Sequence, residues 1–340
     1  MDIFGRSYHI DVLLKIEMKP IHFYKTFFVL SLIALFIYSC NNNTNTTADT
    51  NQFDTSVIWR GSNQYQIPAS DSLATYGYQL ISNTSYYLGP LGKVAQLTNG
   101  MNCQNCHLKA GTVPWGNNYS AVASTYPQFR ARSGGIETIV KRISDCMERS
   151  LNGEPVDSNS KEMKAIIAYM HWLGDDVPKR FKPKGSGIMD IPYLERAADP
   201  QQGKIVFANK CQRCHGADGQ GKKKDDGLYE YPPLWGEHSY NTAAGLYRIS
   251  RFAGYVKNKM PFGEVEYHNP LLTNEEAWDV AAFVNSQPRP SKNFKEDWPD
   301  ISKKPVDHPF GPFADGFGEE QHKYGPFKPI VEARKNKQAK

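Results

Sequence analysis

The pattern Cys103-Gln104-Asn105-Cys106-His107 returns as Cys211-Gln212-Arg213-Cys214-His215. Two thiols two residues apart can add to the two vinyl groups of one haem, and the adjoining histidine reaches the iron from the same side. One match in a long chain can arise by chance or mark a redox dithiol. Two, each ahead of a similar downstream pattern, point to two covalently bound c-type haems and to electron transfer or redox chemistry. At 340 residues the chain has room for two modest domains plus extensions.

The 12% aromatic fraction suits a protein that encloses porphyrin rings. The net charge of +5 includes no basic block long enough to argue for nucleic acid. It is compatible with an anionic small substrate or an acidic redox partner.

The apolar run from Phe27 to Ile37 is short for a membrane span. It ends at Ile37-Tyr38-Ser39-Cys40, which resembles a bacterial lipobox, with Lys19 and Lys25 as the positive flank. Met18 fits as the true start. Residues 1–40 therefore read as a lipoprotein signal segment whose Cys40 takes acyl chains, placing the protein outside the cytoplasm, on the periplasmic side, held to the membrane by lipid alone. Residues 41–55 are polar and low in complexity and read as a flexible tether. With Cys40 lipidated and four cysteines on haems, Cys146 is left alone.

Two degenerate units follow. The first, 56–185, runs from a helical stretch near Leu73–Ser82 through the first haem motif to an amphipathic stretch at Lys161–Leu173, which Ser160 can cap. The second, 186–290, opens with Gly203–Lys210 and closes after Thr273-Asn274-Glu275-Glu276, a capping box. Helix, haem motif, loop and closing helix is the order of a class I cytochrome c domain. The expected fold is mainly α, with two such domains in tandem, a basic Pro-rich join at 177–192 and an extended Pro-rich segment at 291–340. Phe310, Phe313, Phe317, Tyr324 and Phe327 suggest that this last segment packs on the domains.

His107 and His215 each give their iron one ligand. Met260, followed by Pro261, stands where a class I cytochrome presents its thioether, and a His/Met haem suits electron transfer. Lys259 reads as a solvated neighbour or an alternative nitrogen ligand. In the first unit the matching place holds Asp145-Cys146-Met147. Ligation by Met147 would give a second electron-transfer haem. Ligation by a Cys146 thiolate would lower the haem potential and put a nucleophilic sulfur at the iron. The spacing alone leaves these even.

The segment Arg142-Ile143-Ser144-Asp145-Cys146-Met147-Glu148-Arg149-Ser150-Leu151-Asn152-Gly153 resembles the active-site segment of the dihaem thiosulfate dehydrogenases that form tetrathionate. The likeness continues through Pro232-Pro233-Leu234-Trp235-Gly236, Asn258-Lys259-Met260-Pro261, Trp278-Asp279-Val280-Ala281-Ala282-Phe283-Val284 and Gln321-His322-Lys323-Tyr324-Gly325-Pro326-Phe327, covering nearly everything from 56 to 330. The resemblance implies a catalytic haem held by His107 and Cys146 and an exit haem held by His215 and Met260. It further implies thiosulfate and tetrathionate as substrate and product, and a c-type cytochrome or other redox protein as acceptor. The family's basic residues beside the catalytic haem correspond to Arg132 and Arg142. Arg149 reads more readily as a haem propionate partner. The lipobox departs from the soluble form that is commoner in the family. Two rival functions stand beside this one: a plain dihaem electron carrier, which predicts two His/Met haems, and a dihaem peroxidase, against which the Cys146 segment argues.

Overall fold

The computed structural model describes residues 56–59 and 66–338. Cys40, the signal segment and the tether lie outside the described residues. No helix among those described is long and apolar enough to cross a membrane.

Eight helices carry the architecture: α1 (Ser72–Ser82), α2 (Ile139–Arg149), α3 (Lys161–Leu173), α4 (Pro200–Lys210), α5 (Ile249–Lys259), α6 (Asn274–Ser286), α7 (Glu319–Tyr324) and α8 (Lys328–Gln338). Their starts are written locally. Asp71 accepts from the Ala74 amide at 2.9 Å, Ser160 from Met163 at 3.1 Å and Asp199 from Gln201 at 2.7 Å. Thr273 and Glu276 satisfy each other's amides in a reciprocal capping box. Each cap of this kind stabilises its helix by about 1 kcal/mol.

The two units repeat one packing device. In the first, α1 packs on α3; in the second, α4 packs on α6. A Cβ on Gly77 of α1 would lie 2.0 Å from the Ala165 carbonyl oxygen of α3. One on Gly203 of α4 would lie 1.9 Å from the Asp279 carbonyl oxygen of α6. Each crossing is close enough that only glycine fits. Around the first crossing lie Leu80, Ile81, Met163 and Tyr169, and around the second Phe207, Trp278 and Val280, all buried. Full burial of a large apolar side chain is worth roughly 1.5–3 kcal/mol.

Short antiparallel hairpins add little to the core: β1 (Gln128–Arg130) with β2 (Gly135–Glu137), and β3 (Lys222–Lys223) with β4 (Tyr229–Tyr231). The 177–192 segment is irregular but anchored to the first unit. Its carbonyls at Lys184, Gly185 and Gly187 accept from the amides of Trp59, Trp115 and Asn117.

The C-terminal segment departs from the extended form expected over 291–340. Residues up to 317 are irregular apart from one turn at Ile301–Lys303, but α7 and α8 are helical. The prolines explain both halves. They are dense before α7, whereas Pro329 stands second in α8, where the missing N–H has no helical acceptor to lose, and no proline follows it. The segment is a strap across both units: Asp297 reaches Arg149, Lys292 donates to the Gly153 carbonyl at 2.9 Å, and Asp307 pairs with Arg248.

Candidate redox and anion-binding site

Two cavities, of about 280 and 560 Å³, each hold one Cys-Cys-His set. The smaller is lined by Cys103, Cys106 and His107, the larger by Cys211, Cys214 and His215. In both, the histidine is oriented by a main-chain carbonyl. His107 Nδ1 lies 2.5 Å from the Asn117 carbonyl and His215 Nδ1 2.9 Å from that of Pro232. A proton on Nδ1 satisfies that carbonyl and leaves the Nε2 lone pair for a metal. At His107 the Asn117 amide nitrogen also approaches Nε2, at 3.4 Å. Burial, opposed only by the Asn117 carbonyl, lowers the His107 pKa to about 4, and burial likewise lowers that of His215. Both rings are therefore neutral, the form that binds iron. Burial pushes the thiols of Cys103 and Cys106 up to about 11 and about 12, and that of Cys211 to about 11.

A sulfur donor lines each cavity besides the motif cysteines. Met260, at the end of α5, lines the larger one, while Cys146 and Met147 of α2 line the smaller. The donor sets thus fit two attached haems. Lys259 is not on the cavity lining. Its Nζ lies 3.6 Å from Glu266 and burial lowers its pKa.

Helix α2 brings the chemistry of the smaller cavity together. Thr138 caps it, accepting from Lys141 at 3.2 Å. Arg142 and Cys146, four residues apart, share its cavity face. The Cys146 sulfur, in its charged form, raises the Arg142 pKa above the ordinary guanidinium value. Met147 is 1% exposed, packed in the core, whereas Cys146 is half-buried.

Arg132 and Arg149 are placed differently. Arg132 is not a lining residue; its guanidinium lies 5.7 Å from the Trp298 ring centroid, and its amide neighbour across the chain is Trp298, which donates to the Arg132 carbonyl at 2.6 Å. Burial, then repulsion from Arg149 and Arg142, lowers its pKa to about 10. Arg149 is committed to a fork with Asp297 at 2.6 and 2.9 Å and stacks over Phe294.

The cations that do line the smaller cavity are Arg130, Arg142 and Lys182, and no carboxylate lines it. The larger cavity carries both signs: Lys109, Lys210 and Lys224 beside Glu230 and Glu264. Sequence reading passed over Gln128 and Arg130, whose only signal is a three-residue alternation before a Gly-Gly turn.

Residues 93–178 match the SoxA/TsdA cytochrome c domain family, and residues 200–288 match the cytochrome c family. A thiosulfate dehydrogenase from Allochromatium vinosum is 41% identical over 196 residues, which cover 56% of this chain and 71% of that protein. The chain belongs to the thiosulfate dehydrogenase family. It is a dihaem protein with two covalently bound c-type haems, one per cytochrome c domain.

Another family member, the thiosulfate dehydrogenase of Psychrobacter arcticus, is 42% identical over 203 residues, 59% of this chain; the match spans 60% of that relative's length. The solved structure of thiosulfate dehydrogenase (TsdBA) from Marichromatium purpuratum superposes with a TM-score of 0.63 at 26% identity, covering 78% of this chain and 54% of that one.

Proposed function

We propose that the protein couples two thiosulfates into tetrathionate, reversibly, at the Cys146 cavity and passes the electrons to a c-type cytochrome or another redox protein. One observation carries the reading: the cavity that holds the spare thiol is lined by three cations and no carboxylate.

Thiosulfate is a dianion, and two of them must meet for sulfur to join sulfur. Unit charges about 4 Å apart repel by roughly 4 kcal/mol at an effective dielectric near 20. Uncompensated, that repulsion would keep the second substrate out. Arginine also offers a planar fork that matches an oxyanion face. In the coupling the two terminal sulfurs form one S–S bond, each thiosulfate gives up one electron, and no proton moves.

The haems, when bound, accept those electrons one at a time. His107 and Cys146 would hold the catalytic haem, His215 and Met260 the exit haem. Cys146 keeps a thiolate where the terminal sulfur arrives, and Arg142 on the same helix face holds both that charge and the anion's. Arg132, beside the cavity, adds to the positive field. Attachment of acyl chains at Cys40 would hold the protein on the periplasmic side of a membrane.

The test is reduction of a cytochrome acceptor by thiosulfate, with wild type and Cys146→Ala side by side. The variant should lose nearly all turnover and the thiolate-ligated low-spin signal in electron paramagnetic resonance, with both haems still attached. Wild-type activity in Cys146→Ala would take the sulfur chemistry away from Cys146, and absence of thiosulfate turnover in the wild type would favour a plain carrier with Met147 as ligand.

A further inference from the structure

The β1–β2 hairpin shows one face to the Cys146 cavity and the other to solvent. Its register pairs Gln128 with Glu137, Phe129 with Ile136 and Arg130 with Gly135. Side chains alternate across a strand, so Gln128 and Arg130 share a face that Phe129 does not. Gln128 and Arg130 line the cavity, while Phe129 and Ile136 are 52% and 69% exposed. Across from Arg130, Gly135 adds no side chain, and a Cβ there would meet nothing within 4 Å. The guanidinium therefore has room on its own face. Lys182 reaches the same cavity from the 177–192 segment. Neither side chain has an ion-pair partner among the described residues, in contrast to Arg149, which Asp297 neutralises.

Arg142 belongs to another element. It rides on α2 beside Cys146, where one anion would meet the thiolate. The cavity thus has cations on a helix at the sulfur and cations on a hairpin and a loop away from it in sequence. Arg142 already feels the carboxylates of Asp145 and Glu137, whereas no ion pair among the described residues compensates Arg130 or Lys182, so their charge is left for an entering anion.

We propose that Arg130 and Lys182 form a second oxyanion subsite, which holds the second thiosulfate while Arg142 holds the first at Cys146. This rests on the functional reading above and adds where the second dianion sits. Gln128, on the Arg130 face, supplies an amide donor to the same group. Tetrathionate, with an anionic sulfonate at each end, would span both subsites.

The experiment uses the haem-loaded protein and the variants Arg130→Gln, Arg130→Lys and Lys182→Gln. Initial rates are measured against thiosulfate, tetrathionate binding by calorimetry, and both haem potentials by spectroelectrochemistry. Loss of one charge-assisted contact should raise KM and weaken tetrathionate binding by about tenfold in either glutamine variant, with a smaller change in kcat. Arg130→Lys should recover much of the loss, and the haem potentials should stay put. Unaltered KM and unaltered tetrathionate binding in both glutamine variants would overturn the subsite. So would a shifted haem potential with anion binding intact, which would assign these cations to a haem propionate. If the unaltered protein fails to turn over thiosulfate, the functional reading falls, and the calorimetry still decides the subsite.

Discussion

The phenol of Tyr255 donates a hydrogen bond to the main-chain carbonyl of Asn105, 3.0 Å away. It ties helix α5 of the second unit to the middle of the first haem motif. Asn241 does the same further along, donating to the Glu148 carbonyl at 2.8 Å and to Asn152 at 3.0 Å. The second unit is thus joined to the first haem motif and to the end of α2, as well as by the chain between the units.

Tyr255→Phe removes that donor and leaves a half-buried carbonyl short of a partner. Stability should drop by about 1 kcal/mol, with both haems attached and their spectra unchanged. Denaturant midpoints of the two proteins measure it; equal midpoints would mean that water replaces the phenol.

Asp297→Ala should cost more. Arg149 is 3% exposed and its charge is met by the Asp297 carboxylate, with Asp145 at 3.8 Å as a poor substitute. Breaking a buried pair by deleting one partner costs about 3–5 kcal/mol, so a loss of at least about 2 kcal/mol is expected. A double replacement, Arg149→Met with Asp297→Ala, should recover part of it, because no unpaired charge remains.

His308 gives the strap a pH dependence. Burial, then the positive charge of Lys304, lowers its pKa to about 4. Its Nε2 accepts from the Trp298 indole N–H at 3.2 Å, which a protonated ring cannot do. An unfolded histidine titrates near 6.5, so the unfolded chain binds more protons between those two values. The contribution is therefore full above about pH 6.5 and is lost as pH falls toward about 4. His308→Gln should flatten this part of the stability curve by an amount on the order of 1 kcal/mol, since the ring is partly solvated. Denaturant midpoints near pH 7 and near pH 4 compare the two proteins. Identical slopes would remove His308 from the account.

Met260→Gly should remove the red charge-transfer band of thioether-ligated ferric haem and shift one of the two haem potentials. The first haem's signal should not change, since Met260 lines only the larger cavity. An unaltered absorption spectrum would place the ligand elsewhere.

Much of this fold is written in short-range signals. Ser160 and Thr273 announce their helices by cap chemistry that depends on three neighbouring residues, and the haem motifs are contiguous. Arg149 shows where such signals stop. Its partner, Asp297, is far along the chain in a stretch without regular structure, so only the folded strap reveals that Arg149 is occupied. Arg130 is hidden for another reason: a strand of three residues is too short for alternation to stand out from chance. In the last fifty residues the prolines mask α7 and α8, because their effect on backbone geometry is local to the positions they occupy.

Cys106 belongs to the walls of both cavities. With Asn102, which lines both as well, it makes the two redox centres neighbours through the first haem motif and the residue before it. Bound in these two cavities, two one-electron groups would match in number the two electrons that the proposed coupling gives up, and the Cys106 wall they share would set how closely they approach.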